Sequence, residues 1–151
     1  YTQGHKRLIA RVKGWKINLQ VCYDLRFPVW ARQHTTGVPE YDVLLYVANW
    51  PERRAHAWKS LLTARAIENQ CYVIGVNRVG NDGNGIFHSG DSMAIDALGN
   101  TLYHQSIEEA VHTIVLQKEP LLEIRDRFPF WKDADNFKII PKDGDEYTAD
   151  I

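Results

Sequence analysis

The sequence predicts an α/β fold with mixed strand directions, and three observations carry that expectation. Tyr41–Ala48 (YDVLLYVA) and Cys71–Val76 (CYVIGV) are nearly continuous runs of β-branched, aromatic and aliphatic residues, the pattern of buried strands. Between them, Arg53–Asn69 repeats Trp58, Leu61, Leu62, Arg65, Ala66 and Asn69 at three- and four-residue spacing, the pattern of a helix with one packed face. Hairpin signals stand on either side of this block, which adds antiparallel strands to an alternating strand–helix core.

Each element follows in order. Arg7–Val12 and Ile17–Cys22 are strand-like and are joined by Lys13-Gly14-Trp15-Lys16, a first hairpin. Asp24–Gln33 reads as a turn leading into a short helix, with Pro28 tolerated in the first turn. The strand Tyr41–Ala48, the helix Arg53–Asn69 and the strand Cys71–Val76 come next. Val79–Gly90 (VGNDGNGIFHSG) contains four glycines and reads as a loop. Ser92–Asp96 and Asn100–Gln105 bracket the turn Leu98-Gly99-Asn100, a second hairpin. Ala110–Leu116 (AVHTIVL) reads as a strand and Glu119–Arg127 as a helix. The end of the chain, PKDGDEYTADI, is polar and reads as an extended tail. The expected division is one domain over residues 1–138 and a tail over 139–151.

Composition bounds the function. The 151 residues are 44% apolar and 25% charged with a net charge of −1, enough for one domain with a real core. That charge favours no nucleic acid, membrane surface or strongly charged partner. The six histidines are scattered, without metal-ligand spacing, so no metal site is expected. No apolar run approaches the ~20 residues of a membrane helix. The first sixteen residues lack the continuous apolar core of a signal peptide. Two cysteines are no disulfide framework, and a reducing cytoplasm fits them best. The chain opens on Tyr1 rather than Met, which suggests a processed or partial chain.

Cys22 closes the strand INLQVC and precedes a tight turn. A core thiol, half of a disulfide and a nucleophile all fit that position. A following helix would present N–H groups and positive potential to a thiolate. The Tyr23 N–H could face an oxyanion. Nucleophiles at strand-to-helix elbows are a recurrent device for acyl transfer. Cys71, at the start of a strand, reads as inert core.

The string Cys22-Tyr23-Asp24-Leu25-Arg26-Phe27-Pro28 resembles the nucleophile motif of the nitrilase superfamily of carbon–nitrogen hydrolases. The likeness continues through Val47-Ala48-Asn49-Trp50-Pro51, Ala64–Asn69, Gly83–Ser92 with Asp96–Gly99, and the segment Arg127–Asp135. That last segment resembles the ω-amidase (2-oxoglutaramate amidase) branch. The resemblance implies a four-layer α-β-β-α sandwich and hydrolysis of an amide through a Cys-Lys-Glu triad without metal or organic cofactor. Cys22 would attack the amide carbon, a glutamate would shuttle the proton, and a lysine with the Tyr23 N–H would hold the oxyanion. The small-molecule substrate would be the terminal amide of a dicarboxylic acid monoamide. Other superfamily reactions, on N-carbamoyl amines or nitriles, are alternatives.

The family's glutamate and lysine match no position here. Lys6, Lys13 and Lys16 lie in the opening hairpin, and Glu40, Glu52 and Glu68 lack the context of the base. The chain therefore corresponds to the C-terminal half of such a protein, and a half that only binds a partner chain is a further reading. Trp50 is expected to wall the pocket or fill the core. Asp24 and Arg26 flank the elbow, with Arg26 paired to Asp24 or Glu68 or else holding a substrate carboxylate. Arg65 and Glu68 are expected to pair at i,i+3 and fix the helix near the elbow. Asn49 reads as capping the strand end, and His88, beside Phe87, as a surface residue. The resemblance further implies a homo-oligomer, a dimer, paired through the elbow helix and the long helix; Phe128–Trp131 is a second docking candidate.

Overall fold

The structure, a computed structural model, describes residues 6–34 and 37–140. The opening hairpin is present as β1 (Leu8–Val12) and β2 (Trp15–Val21). Strand β3 (Val43–Ala48), helix α2 (Ala55–Asn69) and strand β4 (Tyr72–Asn77) follow as the hydrophobic pattern demands. The second hairpin is β7 (Ser92–Ile95) and β8 (Thr101–Gln105). Six strands form one sheet in the order β1-β2-β3-β4-β7-β8. Strands β2, β3 and β4 run parallel and the flanking pairs antiparallel, the mixed directions expected.

Asp24–Gln33 holds the expected turn into a short helix: a 3-10 turn, Cys22–Arg26, followed by a four-residue helix α1, Pro28–Ala31, with Pro28 in its first turn. Pro28 separates the two, because the residue before a proline is driven out of the helical region; Phe27 has φ −112° and ψ 95°. Three local expectations differ. The glycine-rich stretch is a two-stranded ribbon, β5 (Val79–Asn81) with β6 (Phe87–Ser89), closed by a turn at Asp82. His88 is buried in that ribbon rather than on the surface, its Nδ1 at 2.9 Å from the Ile86 carbonyl. Ala110–Leu116 forms no strand, since no neighbouring chain segment offers it a ladder; Val111 and Val115 stand in solvent. Helix α3 (Lys118–Arg127) is where it was expected. The division at residue 138 has no test here, and most of the expected tail lies outside the described residues.

The two faces of the sheet differ. Leu44 and Tyr46 of β3, Val73 of β4 and Ile95 of β7 pack against Trp58, Leu62 and Ala66 of α2. Gly75 makes the close approach of α2 to β4 possible, because a Cβ there would lie 2.5 Å from a Leu62 methyl and 2.8 Å from the Trp58 ring. On the opposite face, α3 covers only one end, with Leu121 and Ile124 against Val43, Tyr72 and Ile74. Leu19, Val21, Val47 and Val76 are exposed on the rest of that face. The described residues thus form a helix layer on a sheet, one half of the expected α-β-β-α arrangement. The bare face is of the apolar kind that a second sheet covers. Among the described residues no helix is long and apolar enough to cross a membrane.

A buried charge cluster ties α3 to the sheet. Asp42 accepts bonds from the Lys16 N–H at 3.0 Å, from Arg125 Nη1 at 3.0 Å and from Lys118 Nζ. Burial pushes its carboxyl up, but the bonds from Lys118 and Lys16 and the Lys118 and Arg125 charges outweigh this and hold it below the usual range. A depressed folded value means stability that is complete above the unfolded value of about 3.9 and lost as pH falls through the folded one. Asp42→Asn should therefore cost about 3 kcal/mol near neutrality, where the buried Arg125 and the part-buried Lys118 lose their partner. In urea unfolding, the gap to the parent should narrow as pH drops toward ~3; a gap unchanged by acid would contradict the assignment.

Candidate active site

The parallel strands β2, β3 and β4 deliver their C-terminal ends to one side of the sheet, the usual place for ligand contacts in α/β layers. Cys22 follows β2 directly with φ +42°, a left-handed conformation that L residues avoid. A sharp elbow results, and it is held from three directions. The Asp24 carboxylate accepts the Val21 N–H at 2.8 Å. Leu25 is fully buried in the core beneath the turn. The Leu25 carbonyl accepts Arg65 Nη2 at 2.7 Å, reaching across from the end of α2.

Arg65 is itself buried and pairs with Glu68 at 3.0 Å, the expected i,i+3 bridge. Glu68 also accepts from Asn69 Nδ2, whose second bond goes to the Arg65 carbonyl. The buried Tyr46 hydroxyl lies within reach of the Arg65 charge; burial pushes it far above its ordinary range and Arg65 opposes this only in part. Burial thus favours the neutral form of Tyr46.

A pocket of about 290 Å³ opens at the elbow. Cys22, Tyr23 and Arg26 line one side, Asn49, Trp50 and Pro51 the end of β3, and Arg54 the turn before α2. Cys22 is a free, half-buried thiol, whereas Cys71 is free and fully buried. Burial pushes the Cys71 thiol far up, which leaves it inert as expected. A larger recess of about 600 Å³ lies on the open sheet face beneath residues 108–114 and meets the pocket at Asn49. No cysteine lines it, whereas Cys22 lines the smaller pocket.

Trp50 is both wall and core. It lines the pocket, is almost fully buried, and meets Trp58 at 5.5 Å between ring centroids. The expected pairing of Arg26 with Asp24 or Glu68 is replaced by stacking: its guanidinium lies over the Trp50 ring at 4.7 Å. Asp24 is occupied by the backbone of the elbow, and Glu68 by Arg65, so neither is left for it. Tyr23 turns its ring outward against Phe27, which leaves only its backbone near the thiol. Asn49 is exposed at the pocket wall rather than closed into a cap. No lysine, glutamate or aspartate lines the pocket among the described residues. Nor do they contain a group of three or more His, Cys, Asp or Glu placed to hold a metal.

Sequence reasoning passed over two residues. Asn77 Oδ1 accepts the Trp50 N–H at 2.7 Å, and its Nδ2 donates to the Trp50 carbonyl at 3.0 Å and the Gly90 carbonyl at 2.7 Å. One amide thus clamps the pocket wall to the loop after β6. The only linear signal is an amide residue at the end of a buried strand. Arg54 is the other, distinguished from Arg53 only by its place in the turn. Asn77→Ala should cost about 2 kcal/mol, because a buried N–H and two buried carbonyls lose their partner. Urea unfolding measures the loss and near-ultraviolet circular dichroism the loosened Trp50; a change under ~0.5 kcal/mol would contradict the clamp.

A family model described as carbon-nitrogen hydrolase matches residues 1–118. The chain is 48% identical over 140 residues to the omega-amidase YafV of Escherichia coli K12, covering 92% of this chain and 53% of that protein. It is 40% identical over 120 residues to the 2-oxoglutaramate amidase of Bacillus subtilis, covering 80% of this chain and 45% of that one. A crystal structure of a carbon–nitrogen hydrolase superfamily protein from Xanthomonas campestris, with an arsenic adduct in its active site, superposes with a TM-score of 0.89 at 49% identity. That match covers 92% of this chain and 54% of the other. The chain spans about half the length of the curated relatives it matches. With the family model, the relatives and the fold in agreement, the chain belongs to the carbon–nitrogen hydrolase family.

Proposed function

We propose that this chain carries the nucleophile half of an amidase that hydrolyses the terminal amide of a small dicarboxylic acid monoamide, 2-oxoglutaramate or a close analogue. The observation that carries the reading is the strained Cys22 elbow opening into a pocket walled by Trp50 and bordered by arginines. The Cys22 sulfur attacks the amide carbon and the Tyr23 N–H receives the developing oxyanion. Collapse expels ammonia and leaves a thioester, which water cleaves to the acid. Arg26, fixed on the Trp50 ring, supplies a positive charge for the substrate's free carboxylate. Among the described residues no general base and no lysine lines the pocket, and since no position of this chain matches the family's pair, we assign both to residues outside these 151. The names of the relatives support the substrate class.

A second reading rests on the apolar sheet face bordering the site: the chain completes its fold and its pocket only with a further segment, and alone it binds rather than catalyses. The two free thiols support a reducing cytoplasm. The exposed Phe27 and Val29 beside α2 support pairing of copies through the helix layer.

Ammonia release from 2-oxoglutaramate separates the readings. Catalysis at Cys22 predicts release that drops about a thousandfold or more in Cys22→Ala. Release equal in the two proteins would sink the nucleophile assignment, and none in either would favour the binding half.

A further inference from the structure

We infer that Arg54, given the nucleophile role proposed for Cys22, is a specificity-determining residue that draws the substrate's carboxylate into the pocket. Its main chain is fixed and its head is free. The Arg54 carbonyl accepts Trp50 Nε1 at 2.7 Å, and its N–H donates to the Pro51 carbonyl at 3.0 Å. Arg54 is exposed and lines the same pocket as Cys22, and its guanidinium makes no hydrogen bond or ion pair among the described residues. Removing it would therefore cost the fold no bond.

The second cation changes what the pocket can hold. Arg26 stands on the Trp50 ring, so two arginines line one concavity, with no acidic residue in its lining among the described residues. Like charges in a cleft repel, and an entering anion relieves that repulsion. The walls sharpen the effect, because Trp50 and Pro51 are buried and apolar and do little to screen the charge. A guanidinium fork matches the planar carboxylate. Glu52 and Arg53 lie in the same turn but do not line the pocket, so the selectivity belongs to Arg54 and not to the turn's net charge. The site should favour amides with a free carboxylate over neutral amides of the same size.

Alkylation of Cys22 tests this without turnover. Its thiolate displaces iodide from either iodoacetate, an anion, or iodoacetamide, its neutral counterpart. The ratio of the two rates cancels any change in thiol reactivity, and mass spectrometry of the Cys22 peptide measures it. Arg54→Gln should lower the iodoacetate-to-iodoacetamide ratio by about fivefold, the effect of one exposed charge. Arg54→Lys should retain more than half of the parent ratio. Arg53→Gln should leave it unchanged, and salt should lower it in the parent. Cys71 remaining unlabelled shows that each variant is folded. A ratio within about 1.5-fold of the parent in Arg54→Gln, or an equal drop in Arg53→Gln, would overturn the role of Arg54 and leave the amidase reading standing. Failure of both reagents to label Cys22 would sink that reading together with the role of Arg54.

Discussion

A buried guanidinium joins the helix layer to the Cys22 elbow. Arg65 sits at the end of α2, where its aliphatic neighbours pack on the sheet, and it donates to the Leu25 carbonyl inside the elbow. A cation in that position needs strong partners, and Glu68 with the Leu25 carbonyl supplies them. This tether opposes relaxation of the left-handed Cys22, whose conformation costs about 1–2 kcal/mol. Asp24 offsets part of that cost by capping Val21, and the burial of Leu25 contributes more. The strain is thus held by groups on two elements that the chain folds for other reasons.

The position of the thiol then follows from the sheet. Because β2, β3 and β4 run parallel, their ends bring Cys22, Asn49-Trp50 and Asn77 to one rim, although 55 residues separate the first from the last. The Asn77 amide converts that proximity into a fixed wall. The same rim borders the bare apolar face, so whatever covers that face also closes the site. Among the described residues the helix side of the sheet is packed and the other side is open beside the Cys22 pocket.

Elements buried on strong periodic patterns were legible in the sequence. β3, α2 and β4 announce themselves because their apolar residues have nowhere else to go, and the elbow motif marked Cys22. Elements set by partners were not. The Val79–Ser89 ribbon hides behind its glycines, and Ala110–Leu116 has strand-forming residues but no ladder to join. Arg26 was misplaced for a related reason: its expected carboxylate partners were already engaged, which linear spacing does not reveal. Long-range clamps such as Asn77 on Trp50 likewise leave no trace in spacing.

The central claim is that Cys22 forms the bond to substrate. Mixing the protein with 2-oxoglutaramate, quenching in acid and weighing the peptides tests it directly. The account predicts an acyl adduct on the Cys22 peptide, labile to hydroxylamine as a thioester is, and absent from Cys22→Ala. Ammonia release with no adduct on Cys22, or with an adduct on another residue, would contradict it.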